Sequence, residues 1–195
     1  GNIAGAGEFR WIVDPLDGTT NYVHGLGSYG VSLALERAGR LLVGTVYDPV
    51  ADECFSALRG GGAWLNGRRL AASSVRRLNE ALVAVSFPAR IDRQSPQIGQ
   101  FVEVLLEAQA IRRLGSSALN LCYVAAGRLD AFWAEETRIW DVAAGVLLVE
   151  EAGGLVTAID GGPFVLEQPQ PLAAATPELH GQIAAVLGRA ARARS

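Results

Sequence analysis

The stretch that most constrains this chain is Asp14-Pro15-Leu16-Asp17-Gly18-Thr19-Thr20-Asn21-Tyr22. It follows a short apolar run, Trp11-Ile12-Val13, and residues 10–13 read as a buried strand. Two carboxylates then stand three residues apart, with a proline between them that stiffens the chain. A glycine and a threonine follow at once. The pattern predicts a strand ending in a rigid acidic turn, with backbone N–H groups free just beyond it. Carboxylates attract a hard divalent cation, and free N–H groups attract an anion. Asp-Pro and Asp-Gly are also ordinary turn dipeptides, so the stretch alone decides nothing. It gains meaning from a second acidic site, Trp140-Asp141-Val142-Ala143-Ala144. There Asp141 precedes an apolar helix and has an obvious local role as its N-cap, which still leaves a carboxylate oxygen for a cation.

Between these sites the chain alternates strand and helix signals. Residues 31–35 have strand period, residues 41–47 and 54–58 are further strands, and Asn66-Gly67 marks a two-residue hairpin between residues 63–65 and 68–70. Residues 31–70 therefore form an antiparallel meander. Strands are expected at 82–87, 111–114, 131–133, 155–159 and 172–175. Helices are expected at 95–109, from Gly115-Ser116-Ser117 to Gly127, from Val142 to Ala152, and at 178–187 after Pro177. Residues 1–7 read as a mobile lead-in and the arginine-bearing tail from Arg189 to Arg194 as a solvated, frayed end. The whole is an α+β layered sandwich over residues 1–195, read as a single domain. Gly60-Gly61-Gly62 lacks the residues of a phosphate loop and reads as an inter-strand turn.

Composition narrows the function. Half of the 195 residues are hydrophobic, enough for a sizeable core, and the net charge of −3 supplies no basic field for nucleic acid. All 17 basic residues are arginine, and methionine is absent, so the chain is expected to be a piece of a longer protein. Cys54 and Cys122 have no paired spacing, which suggests a reducing compartment, and Cys122 reads as a core residue. With no membrane span or signal peptide in the sequence, cytoplasm is the expectation. A Ser-His-Asp hydrolase is disfavoured, because Gly27-Ser28-Tyr29-Gly30 has Leu26 where a nucleophile elbow needs glycine. His24 and His180 read as loop or surface residues, not as ligands.

The two acidic motifs together resemble the inositol monophosphatase family. The resemblance continues through Gly62-Ala63-Trp64-Leu65-Asn66-Gly67, Gly115-Ser116-Ser117-Ala118-Leu119-Asn120, Glu151-Ala152-Gly153-Gly154 and Gly161-Gly162-Pro163-Phe164, in order along nearly the whole chain. It implies an α/β/α/β/α sandwich of the sugar-phosphatase type, here with its first helical layer and first strands missing. It implies Mg²⁺-dependent, lithium-sensitive hydrolysis of a small phosphate monoester, and a homodimer, with neither nucleic acid nor membrane as partner. By resemblance Asp14 bridges two Mg²⁺ ions, the Leu16 carbonyl binds the first, and Asp17 and Asp141 bind the second. Gly18 and Thr19 N–H groups hold the phosphate, and Thr19 and Asp14 are the catalytic pair through the attacking water. Gly115, Ser116 and Ser117 meet the alcohol part of the substrate.

Two departures bear on activity. The family's upstream Gly-Glu-Glu-type ligand and a further upstream acid are not in this chain, and Glu8 lies too close to the strand to replace them. The chain by itself is thus expected to bind its first Mg²⁺ poorly and to be nearly inactive, and the intact parent protein to be active. The glutamate that contacts an inositol hydroxyl in the family corresponds to Ala134, and Glu135 serves only with a one-residue slip. The open alternatives are a 3′(2′),5′-bisphosphate nucleotidase, a histidinol-phosphatase or another sugar phosphatase of the superfamily, and a non-catalytic dimeric binding protein.

Overall fold

A computed structural model describes residues 8–88 and 90–192. The expected lead-in at residues 1–7 lies outside the described residues. In chain order the elements are β1 (Phe9–Asp17), α1 (Thr19–Val23), β2 (Gly30–Arg37), β3 (Arg40–Asp48), β4 (Glu53–Leu58), β5 (Gly62–Leu65) and β6 (Arg68–Arg69). A 3-10 turn (Leu78–Glu80), β7 (Leu82–Ser86), α2 (Pro96–Glu107), β8 (Ala110–Arg112), α3 (Ser117–Ala125) and β9 (Ala131–Ala134) follow, then α4 (Ile139–Glu151), β10 (Leu155–Ala158), β11 (Pro171–Ala174) and α5 (Pro177–Arg192).

β1 to β6 form one antiparallel meander in sequence order, as the short turns between them require. Asn66 and Gly67 both take positive φ, the geometry of a tight hairpin, and the Asn66 side chain accepts from the Cys54 N–H at 2.8 Å. The Gly60–Gly62 turn is fastened by Glu151, whose carboxylate accepts from the Gly60 and Gly62 N–H groups at 2.8 and 2.9 Å. The second sheet has the order β10-β11-β9-β7-β8, with β7 parallel to both β8 and β9 and the other pairs antiparallel.

α3 and α4 lie between the two sheets. Their apolar surfaces are buried all round, because Ile12, Ala34, Val46 and Phe55 cover them from one sheet and Ala84, Phe132 and Ala173 from the other. α2 and α5 cover the far side of the second sheet over Val83, Val85, Trp133 and Leu172. The layers run sheet, helices, sheet, helices, as expected for the α+β sandwich. On the outer face of the first sheet Trp11, Leu35, Val43 and Leu58 are cross-strand neighbours, and Trp11 and Leu58 are 54% and 57% exposed. Among the described residues no helix covers that face. No described helix is long and apolar enough to cross a membrane.

The C-terminal tail departs from expectation. α5 continues through Arg192, burying Ala190 and pairing Arg189 with Glu107 of α2, so the apolar spacing of α5 outweighs the charged run. His180 is also not a surface residue: it is buried, with Nε2 2.8 Å from the Thr157 hydroxyl.

β3 and α4 pack backbone against backbone. A Cβ at Gly44 would stand 2.8 Å from the Ala144 carbonyl oxygen and 3.1 Å from its Cα. Backbone on both sides leaves nothing flexible to give. Gly44→Ala is expected to lower stability by about 1–3 kcal/mol, read by urea unfolding; an unchanged midpoint would show that the layers can part freely there.

Candidate active site

The acidic stretch does not form a turn after a strand. It is the end of β1, and it contains a bulge. Asp14 faces Ser32 of β2 and Asp17 faces Gly30, so three steps on one strand match two on the other. In a regular strand, residues three apart point to opposite faces. The one extra residue resets that parity and turns both carboxylates to the face that buries Ile12. Pro15 sits within the bulge, where a missing N–H donor costs little. The Leu16 N–H donates to Asp14 Oδ1 at 3.1 Å, which holds the first carboxylate against its own backbone.

Gly18 then takes φ +84, and a side chain there would meet the Ser28 carbonyl oxygen at 2.7 Å. This left-handed residue is the N-cap of α1, a five-residue helix that the sequence pattern does not reveal. The first N–H groups of a helix, from Thr19 onward, have no acceptor inside it. The Thr19 hydroxyl donates to the Leu16 carbonyl at 2.9 Å, which places these two predicted site residues in contact.

Asp17 is 8% exposed. Its Oδ2 accepts from the Ser116 hydroxyl and, at 2.9 Å, from the Ala118 N–H. Ser116 is fully buried and is also the N-cap of α3, accepting from the Leu119 N–H at 3.1 Å. Its hydroxyl is therefore spent on Asp17 and on the helix end, not turned to an alcohol as expected. Gly115 and Ser117, the other two of that triplet, line a cleft of about 280 Å³ together with Thr20, Asn21, Ser86, Phe87 and Arg113. Ser117 donates to the Ser86 hydroxyl at 3.1 Å. Asn21, to which sequence reasoning gave no role, spans this corner: its amide donates to the Ser28 and Leu114 carbonyls, each at 2.7 Å.

Asp141 is not the N-cap of its helix. α4 starts at Ile139, with Arg138 as N-cap, and Asp141 occupies the third helical position. From there its Oδ2 reaches back to accept from the Arg138 N–H at 2.8 Å. Oxygens of Asp14, Asp17 and Asp141 all lie within 4.8 Å of one another. Glu8, by contrast, pairs with Arg37. Glu135 is also committed elsewhere, accepting from Gln97 and, at 2.8 Å, from Gln100 of α2, while Ala134 is buried in β9.

Three carboxylates this close repel one another and lose water. Burial pushes the Asp17 carboxyl up from its usual 3.8 to about 7; the Ser116 and Ala118 hydrogen bonds pull the other way, and Asp141 and Asp14 add to the rise. Burial also raises the Asp141 carboxyl, against the pull of the Arg138 N–H and with the push of Asp14. Among the described residues no cationic side chain relieves Asp17, while an oxygen-liganded cation between the three would. Hard, all-oxygen donor sets of this kind suit such an ion, so the residues fit a metal.

Comparison with known proteins agrees with this geometry. A profile of the inositol monophosphatase family matches residues 2–192, and the chain belongs to that family. It is 46% identical over 164 residues to an inositol-1-monophosphatase of Mesorhizobium japonicum, covering 82% of this chain and 60% of that protein. It is 47% identical over 174 residues to a protein named Nus factor SuhB from Pseudomonas aeruginosa, covering 86% and 64% respectively. The chain thus spans about three-fifths of the length of these relatives. Among solved structures, the inositol monophosphatase of Anabaena superposes with a TM-score of 0.89 at 38% identity, over 95% of this chain and 74% of that one.

The raised Asp17 carboxyl has a thermodynamic consequence. The folded chain holds that proton more tightly than the unfolded chain, so stability is lost as the pH rises from 3.8 through about 7. In metal-free buffer the unfolding free energy is expected to fall by a few kcal/mol across that window. Mg²⁺ is expected to restore it at pH 8 and do little at pH 5, and Asp17→Asn to flatten both responses. Thermal melts at the two pH values, with Mg²⁺ and with a chelator, check this; equal melts throughout would mean that Asp17 stays ionised without a metal.

Proposed function

We propose that the protein hydrolyses a small phosphate monoester with the help of Mg²⁺, attacking water taking the place of a covalent enzyme intermediate. The observation that carries this reading is the convergence of Asp14, Asp17 and Asp141, from distant parts of the chain, within 4.8 Å. When bound there, Mg²⁺ ions supply an activated water and offset charge on the entering and leaving oxygens. Asp14, the Leu16 carbonyl, Asp17 and Asp141 are the groups that hold them. The N–H groups of Gly18 and Thr19 take phosphate oxygens at the start of α1. The Thr19 hydroxyl donates its hydrogen bond to the Leu16 carbonyl. Its lone pairs are left to accept a hydrogen bond from the water, which positions that water for attack. The ester's alcohol part rests in the cleft against Gly115 and Ser117. Ser116 acts beneath them by holding Asp17.

Within this class the site supports a small sugar or polyol phosphate without selecting inositol, because the acid expected beside an inositol hydroxyl is absent from the cleft lining. The relatives named Nus factor SuhB favour a second reading, a non-catalytic binding role. A homodimer and a cytoplasmic location accompany either reading.

Phosphate release from a panel of monoesters, with and without Mg²⁺ and Li⁺, separates the two. Asp14→Asn and Asp141→Asn are expected to lower kcat about a hundredfold, roughly 2.7 kcal/mol of barrier. Absence of release from every ester by the full-length protein, with no response to Mg²⁺, would leave the binding role.

A further inference from the structure

We propose that Asn21 is a positioning residue, which locks the phosphate-binding turn of the site to the segment that carries the substrate cleft. The inference deepens the phosphatase reading and rests on it for its kinetic readout only.

Residues 17–21 and 114–118 touch at two points. At one, Asp17 accepts from the Ser116 hydroxyl and the Ala118 N–H. At the other, the Asn21 amide nitrogen donates to the Leu114 carbonyl at 2.7 Å. Gly18 and Thr19, whose N–H groups face the phosphate in the proposed reading, lie between the two points. One point alone would leave the short helix α1 free to pivot about Asp17. Two points fix its direction.

The joint is built for close approach. Gly115 takes φ +88, and a Cβ there would stand 2.7 and 2.9 Å from the Asn21 amide nitrogen and oxygen. Only glycine lets the segment pass this near to the side chain. The second hydrogen of the same Asn21 amide goes to the Ser28 carbonyl at 2.7 Å. A side chain at Gly18 would strike that same oxygen. Asn21 thus gathers three backbone segments, α1, the loop before β2 and the lead into α3, through one planar amide with two donors. Aspartate has the shape but not the donors, and leucine has the bulk alone.

The consequence is on orientation rather than on charge. Misplacing reacting groups by about 1 Å costs on the order of 10²-fold in rate. Loss of Asn21 is therefore expected to act on turnover while the carboxylate triad keeps its metal.

The test uses Asn21→Leu, with Asn21→Ala beside it so that a folding failure of one leaves the other to decide. Hydrogen exchange is expected to speed up together in residues 17–23 and 114–118 and to stay unchanged in the second sheet. Inorganic phosphate, titrated in the presence of Mg²⁺, is expected to bind about tenfold more weakly, and kcat to fall roughly 10–100-fold. The Mg²⁺-induced rise in unfolding temperature is expected to match wild type. Faster exchange in only one of the two segments, or uniformly over the protein, overturns the proposal, as does retained kcat in an active enzyme. If the full-length wild type turns over no ester, the phosphatase reading fails, and the paired exchange and the phosphate titration still decide whether Asn21 locks the site.

Discussion

The contact on which the site depends is the burial of one carboxylate, Asp17, against the start of α3. Ser116 and the Ala118 N–H meet its Oδ2, and this is the place where the first sheet, the middle helices and the cleft become one object. The N-terminus of a helix is a favourable place for a negative charge, because its first N–H groups lack partners and its dipole is positive there. Ser116 strengthens the arrangement by serving two masters, donating to Asp17 while accepting from Leu119. Even so, these interactions do not offset the loss of water. Desolvation outweighs them, and the carboxyl remains near pH 7 in its titration. The fold has therefore positioned a charge that it does not itself stabilise.

That imbalance is what suits the triad to a cation in the proposed reading. The structural carboxylates of this chain look different. Asp130 accepts from the Ser73 hydroxyl at 2.6 Å and the Leu82 N–H at 2.7 Å. Glu151 accepts from two N–H groups of one turn. Arg59 pairs with Glu150 at 2.6 Å. In each case the protein supplies the compensating donors. At Asp14, Asp17 and Asp141 it supplies more like charge. Buried charges are normally paired or metal-bound, and here the protein provides no pairing cation among them.

Most of the architecture was legible because hydrophobic period reports which face of an element is buried. The meander, the Asn66-Gly67 hairpin, the four longer helices and the five strands of the second sheet follow from it. The aim of side chains was less legible, because it depends on pairing across strands. The bulge in β1 is a matter of register between Asp14–Asp17 and Ser32–Gly30, and no pattern within residues 14–17 encodes it. α1 is too short to show a helical period. Asp141 was misplaced by three residues because aspartate is a common N-cap, whereas here the cap position falls to Arg138, a residue type with no such preference. Gly115, Ser116 and Ser117 were expected at the cleft by family resemblance, and of the three Gly115 and Ser117 line it.

The same distinction between sequence position and direction explains what the cleft can recognise. Ala134 and Glu135 are adjacent in the chain, yet they belong to different environments. Ala134 ends β9 with its side chain buried, and Glu135 departs towards α2, where Gln97 and Gln100 occupy both of its oxygens. An acid held in that way costs two hydrogen bonds to redirect, about 1.5–3 kcal/mol each for a charged acceptor. No single contact with a sugar hydroxyl returns that amount. The cleft is accordingly lined by the hydroxyls of Thr20, Ser86 and Ser117 and by Arg113, whose guanidinium lies 5.5 Å from the centre of the Phe87 ring. In this proposed reading the phosphate is recognised by backbone and metal, and the alcohol by hydroxyls, which donate and accept, and by a guanidinium, which only donates. Such a lining favours breadth among small polyol phosphates over the selection of one.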